Sequence, residues 1–364
     1  MTLRVLQVPT AWFPSVGGVE THVSEMASRL PARGVNVEVL TTDLSGELPA
    51  HDVHDGIRVR RVRAYPAQRD WRFAPGIDAA MGEGEWDVVH CQGYHTFVAP
   101  LVLAAAWRRG IPTVLTFHSG GPASAGRNAT RGLQLLVLRP LVRHARALIA
   151  VSDFERRTLA TALHLSSGRL EVVPNGSELP EPRLRPADGG TLIVSVGRLV
   201  QYKGHQRIIA AMPAILAARP DARLEVIGSG PAESELRQQV TDLGLGDRVR
   251  IRAIPGSDRQ AMADLIGSAD VLTLLSDYES QGIAAFEALS LGRRVLVTDA
   301  TALAELVASG LAKGVGLDAD ATAVATSVLE LLSEPLPSIR PEPWTWEDCA
   351  DRVADIYRRV VAAP

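Results

Sequence analysis

Lysine and cysteine are nearly absent from this chain. Of 38 basic residues, 36 are arginine and only two, Lys203 and Lys313, are lysine. The two cysteines, Cys91 and Cys349, cannot build a disulfide framework and fit a reducing cytoplasm, which is the expected location. Long apolar runs are missing too. The longest, such as Phe97–Trp107, fall short of the roughly 20 residues of a spanning helix. The opening MTLRVLQVPTAWF has neither the charged start nor the long apolar core of a signal peptide, and reads as a first strand. Net charge is −3 over 364 residues, so nucleic acid is not an expected partner. The balance is uneven: residues 1–178 carry 19 Arg against 16 acids, whereas the remainder carries 19 basic and 25 acidic residues. The mildly basic first half leaves room for an anionic acceptor or weak peripheral contact with a membrane surface.

Several motifs are also missing. There is no P-loop and no His/Cys spacing for zinc. Asp318 and Asp320 stand in a polar loop and are not read as a metal site. Gly228 and Gly230 follow an apolar run as a dinucleotide fingerprint would begin, but Glu233 occupies the place of its third glycine. A nicotinamide dehydrogenase is thereby disfavoured.

What is present is a regular alternation of short β-branched runs with Ala/Leu-rich stretches. Residues 3–8, 35–40, 88–90, 113–117 and 147–151 read as strands of one sheet, and 191–196, 224–227, 249–252, 271–275 and 294–297 as strands of another. Continuous apolar strands separated by helices imply parallel sheets covered on both faces. The Pro/Gly-rich stretch 174–190 reads as a linker between two doubly wound α/β domains facing a cleft. The expected domains are 1–178 joined by a C-terminal amphipathic helix, 347–364, and 179–346. The run Arg58–Arg63 reads as an edge strand with a solvated basic face, near Trp71 and Phe73.

The segment SDYESQGIAAFEALSLG, residues 276–292, carries the most chemistry. Glu279 and Glu287 flank Ser280, Gln281 and Gly282, which lead into a helix. The unpaired N–H groups of such a helix start suit a phosphate. One carboxylate on each side suits hydroxyl-rich groups flanking a diphosphate, the layout of a nucleotide-sugar. Arg198 and Lys203, in VSVGRLVQYKGH, add two cations after a strand. A chain so biased to arginine has kept lysine here. In the first half, Gly17 and Gly18 read as coming right after the first strand and permit close backbone approach, with Glu20 and His22 at the next helix start. His118 ends a strand before a Gly/Ser-rich loop, and His90, Gly93, Tyr94 and His95 end another. Each also has a plainer reading: solvated loop ions, a capped turn, a structural histidine. Arg127, Arg131, Arg139, Arg143 and Arg146 read as the solvated face of a helix or an anionic-lipid contact.

In order, PSVGGVE, DVVHCQG, TFHS, VSDF, VVPNG, VGRLVQYKG, LEVIGSGP and ESQGIAAFEALSLG resemble the motifs of the retaining nucleotide-sugar glycosyltransferases of family 4, over nearly the whole chain. The resemblance implies a GT-B fold, two Rossmann-like domains facing a central cleft, with the acceptor on the N-terminal domain and the donor on the C-terminal one. It implies transfer of a hexose from a nucleoside diphosphate, UDP or GDP, to a hydroxyl, with no metal or other cofactor. It assigns Arg198 and Lys203 to the leaving diphosphate, Glu287 to the ribose, and Glu279 with Gln281 and Gly282 to the transferred sugar. His118 would face the reacting sugar, and Gly17 and Gly18 the diphosphate and acceptor. Glu20, His22, Gly93, Tyr94 and His95 are the acceptor candidates. Ser280-Gln281-Gly282 replaces the family's usual Gly-Phe-Gly. The alternative is a catalytically silent nucleotide-sugar-binding protein of the same fold.

Overall fold

A computed structural model describes residues 2–14, 17–66, 72–120, 125–183, 190–256, 258–337 and 341–363; between 125 and 134 it describes backbone only. The strands are β1 Leu3–Pro9, β2 Val35–Asp43, β3 His51–His54, β4 Ile57–Arg63, β5 Val88–Gln92, β6 Thr113–Thr116, β7 Ala147–Ala150, β8 Leu170–Val172, β9 Leu192–Val196, β10 Arg223–Ile227, β11 Val249–Arg252, β12 Val271–Leu274, β13 Arg294–Thr298 and β14 Lys313–Val315. The helices are α1 Gly18–Arg29, α2 Ile77–Gly82, α3 Val98–Arg108, α4 Ala125–His144, α5 Asp153–Leu163, α6 His205–Ala218, α7 Glu233–Asp242, α8 Arg259–Gly267, α9 Ile283–Ser290, α10 Leu303–Ala308, α11 Ala321–Ser333 and α12 Trp346–Ala362. The chain divides into two compact units, Met1–Asn175 with Thr345–Pro364, and Gly176–Trp344.

The first unit is built on an eight-stranded sheet ordered β3-β4-β2-β1-β5-β6-β7-β8. All its pairings are parallel except β3 with β4. Alternate residues feed cores on opposite faces: Leu6, Val89 and Leu115 on one, Val5, Val88 and Val114 on the other. The second unit has a six-stranded parallel sheet ordered β11-β10-β9-β12-β13-β14. In both, the strand order reverses direction beside the first strand. The crevice at such a switch point, above the strand C-terminal ends, is where this class of sheet binds ligands. It lies between β1 and β5 in one unit and between β9 and β12 in the other.

Helix α12 belongs to the first unit. Thr345 and Asp348 form a reciprocal capping box at its start. Its buried stripe, from Trp346 through Cys349, Val353, Ile356 and Tyr357 to Val360, joins the core under β1, β2 and α1. Each buried aliphatic residue is worth about 1.5–3 kcal/mol. The half-exposed ion pairs beside it, Arg33–Asp351 at 2.7 Å and Arg359–Glu171 at 2.7 Å, contribute at most about 1 kcal/mol apiece. Apolar packing, more than these charges, therefore holds the helix.

Three expectations change. The run Arg58–Arg63 is strand β4, but β3 covers it, so it is not an edge. Three of its four cations are paired: Arg58 and Arg60 with Glu38, and the buried Arg61 with Asp52 at 3.0 Å. Trp71 lies outside the described residues. The stretch read as a linker is docked along the second unit over residues 177–183. Arg183 N–H donates to Asp264 at 2.7 Å and Ser177 N–H to the Trp344 carbonyl at 2.9 Å, while residues 184–189 lie outside the described residues. Finally, Gly17 and Gly18 open α1 instead of following β1 directly. Among the described residues no helix is long and apolar enough to cross a membrane.

Candidate active site

In the second unit, the loops after β9 and β12 meet at the switch point. The chain leaves β9 through Gly197 and Arg198, makes a short 3-10 turn, Gln201–Lys203, and enters α6 at Gly204 with φ 73°. A Cβ at Gly204 would lie 1.9 Å from the Leu275 carbonyl oxygen. Only glycine allows the two loops to touch here. The contact is reinforced by Asp277 N–H donating to the Tyr202 carbonyl at 2.7 Å. His205, buried at the start of α6, braces the turn: Ser195 Oγ lies 2.9 Å from Nδ1 and the Arg198 carbonyl 3.3 Å from Nε2. Burial holds its pKa down at about 4, so it is neutral at pH 7.

This closeness joins Lys203 to Glu279. Lys203 Nζ donates to Glu279 Oε1 at 2.6 Å, with side-chain exposures of 17% and 11%. Ser276 Oγ donates to the same oxygen at 2.8 Å. The carboxylate's own backbone is fixed by Thr301 Oγ1, 3.1 Å from Glu279 N. Thr301 has φ 55°, a strained state for a β-branched residue that persists only where its surroundings impose it. Gly282 caps α9 with φ 84° and no side-chain hydrogen bond; a Cβ there would strike Leu303 Cδ2 at 2.6 Å. The helix start is thus left without a side-chain cap. Arg198 is exposed on the β9 loop and no ion pair holds it among the described residues.

Glu287 lies inside α9, three residues before its last residue Ser290, and is buried. Arg259 from α8 donates to its Oε1 at 2.7 Å. Burial pushes the Glu287 carboxyl above its ordinary range, and Arg259 opposes that. Ser280 is half-buried and Gln281 buried beside them. The glycines of LEVIGSGP also find their reason. A Cβ at Gly228 would lie 1.9 Å from the Gly197 carbonyl oxygen and one at Gly230 2.5 Å from that of Leu199. They let the β10 loop zip onto the Arg198 loop, through Gly197 N–H to Ile227 O and Leu199 N–H to Ser229 O, both at 3.0 Å.

In the first unit, His118 follows β6 with φ 47° and is buried. Its Nε2 lies 2.8 Å from Gln92 Oε1; with the amide in that orientation Nε2–H donates and Nδ1 is left as an acceptor. Burial, with His22, His90 and His95 nearby, holds its pKa well below 6.5. The loop beyond is pinned twice. Gly120 N–H donates to His95 Nε2 at 2.6 Å, and Ser119 N–H donates to the buried Glu155. Glu155 is the acid of the helix-start pattern Ser152-x-x-Glu155. It reaches to Val151 N–H at 2.7 Å and across to Ser119. His22 stacks edge-on to His118 at 4.7 Å and its Nδ1 pairs with Asn175 Oδ1 at 2.8 Å. Its buried Nε2 has no partner among the described residues.

The acceptor candidates do not form one open surface. Tyr94 is a core residue packed edge-on against Phe117, and His22 is buried; neither presents a side chain for an acceptor to rest on. His95 is spent on the loop after His118, Gly93 takes φ 85° to turn out of β5, and Glu20 lies in the first turn of α1 with a carboxylate oxygen 2.5 Å from where a Gly17 Cβ would stand. Gly18 has open space around it. Gln7, Gln92, Glu155, His205, Arg259 and Tyr357 were not singled out from the sequence; only Glu155 had a local signal, the capping pattern. Arg139 donates to the Ala162 carbonyl at 3.0 Å; the side chains of Arg127 and Arg131 lie outside the described residues. Among the described residues no cluster of His, Cys, Asp or Glu could hold a metal ion.

Residues 16–179 match Glycosyltransferase Family 4 and residues 180–344 match Glycosyl transferases group 1. The chain is 30% identical to a GDP-mannose:cellobiosyl-diphosphopolyprenol alpha-mannosyltransferase of Xanthomonas oryzae, covering 91% of this chain and 87% of that one. It is 28% identical to a D-inositol 3-phosphate glycosyltransferase of Nocardiopsis dassonvillei, covering 95% and 90%. Among solved structures, the sucrose-phosphate synthase of Thermosynechococcus elongatus superposes with a TM-score of 0.81 at 21% identity over 100% of both chains. Anabaena HepE in complex with UDP-glucose gives 0.69 at 19% over 98% of both. These last two show the shared GT-B fold.

Proposed function

The chain belongs to the glycosyltransferases of family 4 and group 1, and from that premise we propose that it moves a hexose from a UDP- or GDP-sugar to a hydroxyl of a small-molecule, lipid or glycan acceptor, with retention and without a metal. The observation that carries this reading is the Lys203–Glu279 pair at the switch point of the second unit, 2.6 Å apart and beside the start of α9, which no side chain caps.

The diphosphate lies against the N–H groups at the start of α9, with Arg198 and Lys203 neutralising it as the bond from C1 to the phosphate oxygen breaks. Lysine suits this point because its compact ammonium can hold Glu279 and a phosphate oxygen together. Glu287 takes the ribose hydroxyls through Oε2, the oxygen Arg259 leaves. Glu279 orients the sugar hydroxyls; in the first unit, His118 offers a hydroxyl an acceptor at Nδ1. The departing phosphate takes the acceptor's proton while the new C1–O bond forms on the same face. Both relatives' acceptors carry phosphate in their names, and a mildly basic first unit suits such an acceptor. Arg143, exposed on α4, would add at most weak contact with an anionic surface, and a cytoplasmic location fits a nucleotide-sugar donor.

The test is product analysis. With a UDP- or GDP-sugar and chelator present, release of nucleoside diphosphate and an NMR-assigned retained anomer are expected. An inverted anomer, or activity only with added metal, would overturn the corresponding part.

A further inference from the structure

A hydrogen-bonded chain crosses the first unit from α12 to His118, and every side chain in it is buried. His118 Nε2 lies 2.8 Å from Gln92 Oε1, Gln92 Nε2 2.6 Å from Gln7 Oε1, Gln7 Nε2 2.8 Å from the Tyr357 hydroxyl, that hydroxyl 2.6 Å from His90 Nδ1, and His90 Nε2 2.8 Å from Thr116 Oγ1. The chain begins on β6 and returns to the residue two beyond β6's last. With these amide orientations it runs one way. His118 Nε2–H donates to Gln92, Gln92 to Gln7 and Gln7 to the phenol oxygen; the phenol O–H donates to His90, and His90 Nε2–H donates to Thr116. The reverse direction is also self-consistent. It needs both amides flipped and both histidines in the other tautomer, which would leave His118 with a proton on Nδ1.

Tyr357 is the pivot. Its single proton goes either to His90 or to Gln7, and that choice sets the direction of everything between it and His118. We infer that Tyr357 of the C-terminal helix is a positioning residue that, by giving its proton to His90, holds His118 as the Nε2–H tautomer and leaves Nδ1 bare. The catalytic meaning of this rests on the role proposed above for His118; the coupling itself does not. The arrangement explains why a tyrosine hydroxyl is buried in an otherwise apolar helix stripe. A phenylalanine would pack equally well but would strand the Gln7 N–H and leave His90 Nδ1 with the longer contact to Gln92 Nε2, 3.5 Å away, and a buried polar chain is retained only if all its members are satisfied. It also gives the C-terminal helix a reason to belong to the first unit beyond packing.

The experiment compares the full-length protein with Tyr357→Phe, Gln92→Met and the double variant, using Val353→Ala as a control on the same helix stripe. Two readouts are taken. The first is the 15N shifts of the His118 imidazole in the free protein, assigned by their loss in His118→Gln. The second is kcat and donor KM. The wild type is expected to show a protonated Nε2 and a bare Nδ1. Tyr357→Phe is expected to mix the tautomers and lower kcat about tenfold, the size of one stranded buried donor, with donor KM within about twofold. Gln92→Met cuts the chain next to His118, so Tyr357→Phe should add nothing in that background. Val353→Ala should lower the melting temperature without moving either readout. The inference is overturned if Tyr357→Phe leaves the His118 tautomer unchanged, or if Val353→Ala at matched destabilisation moves it equally. If Tyr357→Phe does not fold, Gln92→Met alone decides: an unchanged tautomer there refutes the chain. If the tautomer shifts yet His118→Gln keeps full turnover, the coupling stands and the catalytic reading of His118 is what fails.

Discussion

Replacing Lys203 by methionine separates what the ammonium does for the fold from what it does for the reaction. Methionine keeps the unbranched stem and removes only the charge. Glu279, with 11% side-chain exposure, is then left with Ser276 Oγ–H as its hydrogen-bond donor among the described residues. Breaking a fully buried ion pair costs about 3–5 kcal/mol; with both side chains touching solvent, about 2–3 kcal/mol is expected. For a unit of this size that lowers the melting temperature by roughly 5–10 °C. Glu279→Gln added to Lys203→Met removes the stranded charge and keeps the Ser276 bond, so most of the stability should return. Turnover should not. Loss of a cation aimed at the leaving diphosphate costs roughly 10²–10³ in kcat, and the amide does not restore it. The assay is melting by calorimetry alongside nucleoside diphosphate release for the wild type, both single variants and the double. Two results would refute the reasoning: Lys203→Met within about twofold of wild-type kcat, or a double variant that regains turnover together with stability. The second would mean that Lys203 serves only to neutralise Glu279.

Glu287→Ala should raise the donor Kd roughly tenfold to a hundredfold, from the loss of charged hydrogen bonds, with kcat within a few-fold; titration calorimetry showing unchanged affinity contradicts the ribose role. Gly204→Ala forces a Cβ to 1.9 Å from the Leu275 carbonyl and should cost more than about 3 kcal/mol, while Gly244→Ala, at φ 65° with open space around it, should cost only about 1–2 kcal/mol; equal denaturant midpoints would contradict the loop contact. Stability should fall with acidification. His22 and His205 are held down at about 4 by burial, and His90 and His118 well below 6.5. The unfolded chain therefore takes up protons first, and stability present above pH 6.5 is lost as pH falls towards 4, by roughly 3 kcal/mol for each of His22 and His205. Glu155 and Glu287, pushed up by burial, offset part of this. A urea midpoint that stays flat from pH 7 to 5 would contradict buried neutral histidines.

The sequence was most readable where one residue has one neighbourhood. The apolar strands of both sheets stand within a few residues of their expected bounds, because a strand buried on both faces leaves an uninterrupted signature. That Gly282 starts a helix, with Glu279 before it and Glu287 inside it, could be read because helix-start chemistry is local. What stayed hidden is long-range pairing. Gln7 and Tyr357 are 350 positions apart, and nothing near either residue announces the other. Arg259 offers no local sign that it holds Glu287, and Arg60 none that it meets Glu38 across a strand pair. The short strand β3 carries too few residues to show a period, so the sequence around Arg58–Arg63 reads as an edge although β3 covers it. Tyr94 and His22 read as polar residues after a strand and at a helix start, whereas both are buried by packing. Gly228 and Gly230 imitate a ligand loop because a backbone approaching another backbone needs the same residue as one approaching a phosphate.

The central claim is that the second unit holds the diphosphate of a nucleotide-sugar between Lys203, Arg198 and the start of α9. Its most direct test is the thermal stability of the wild type and Lys203→Met with UDP-, GDP-, ADP- and dTDP-sugars in the presence of chelator. One nucleotide class is predicted to stabilise the wild type, by about 2.7 kcal/mol at a hundredfold excess over Kd, and to lose most of that effect in Lys203→Met. Equal stabilisation of both proteins by that donor, or none of the wild type by any, would contradict it.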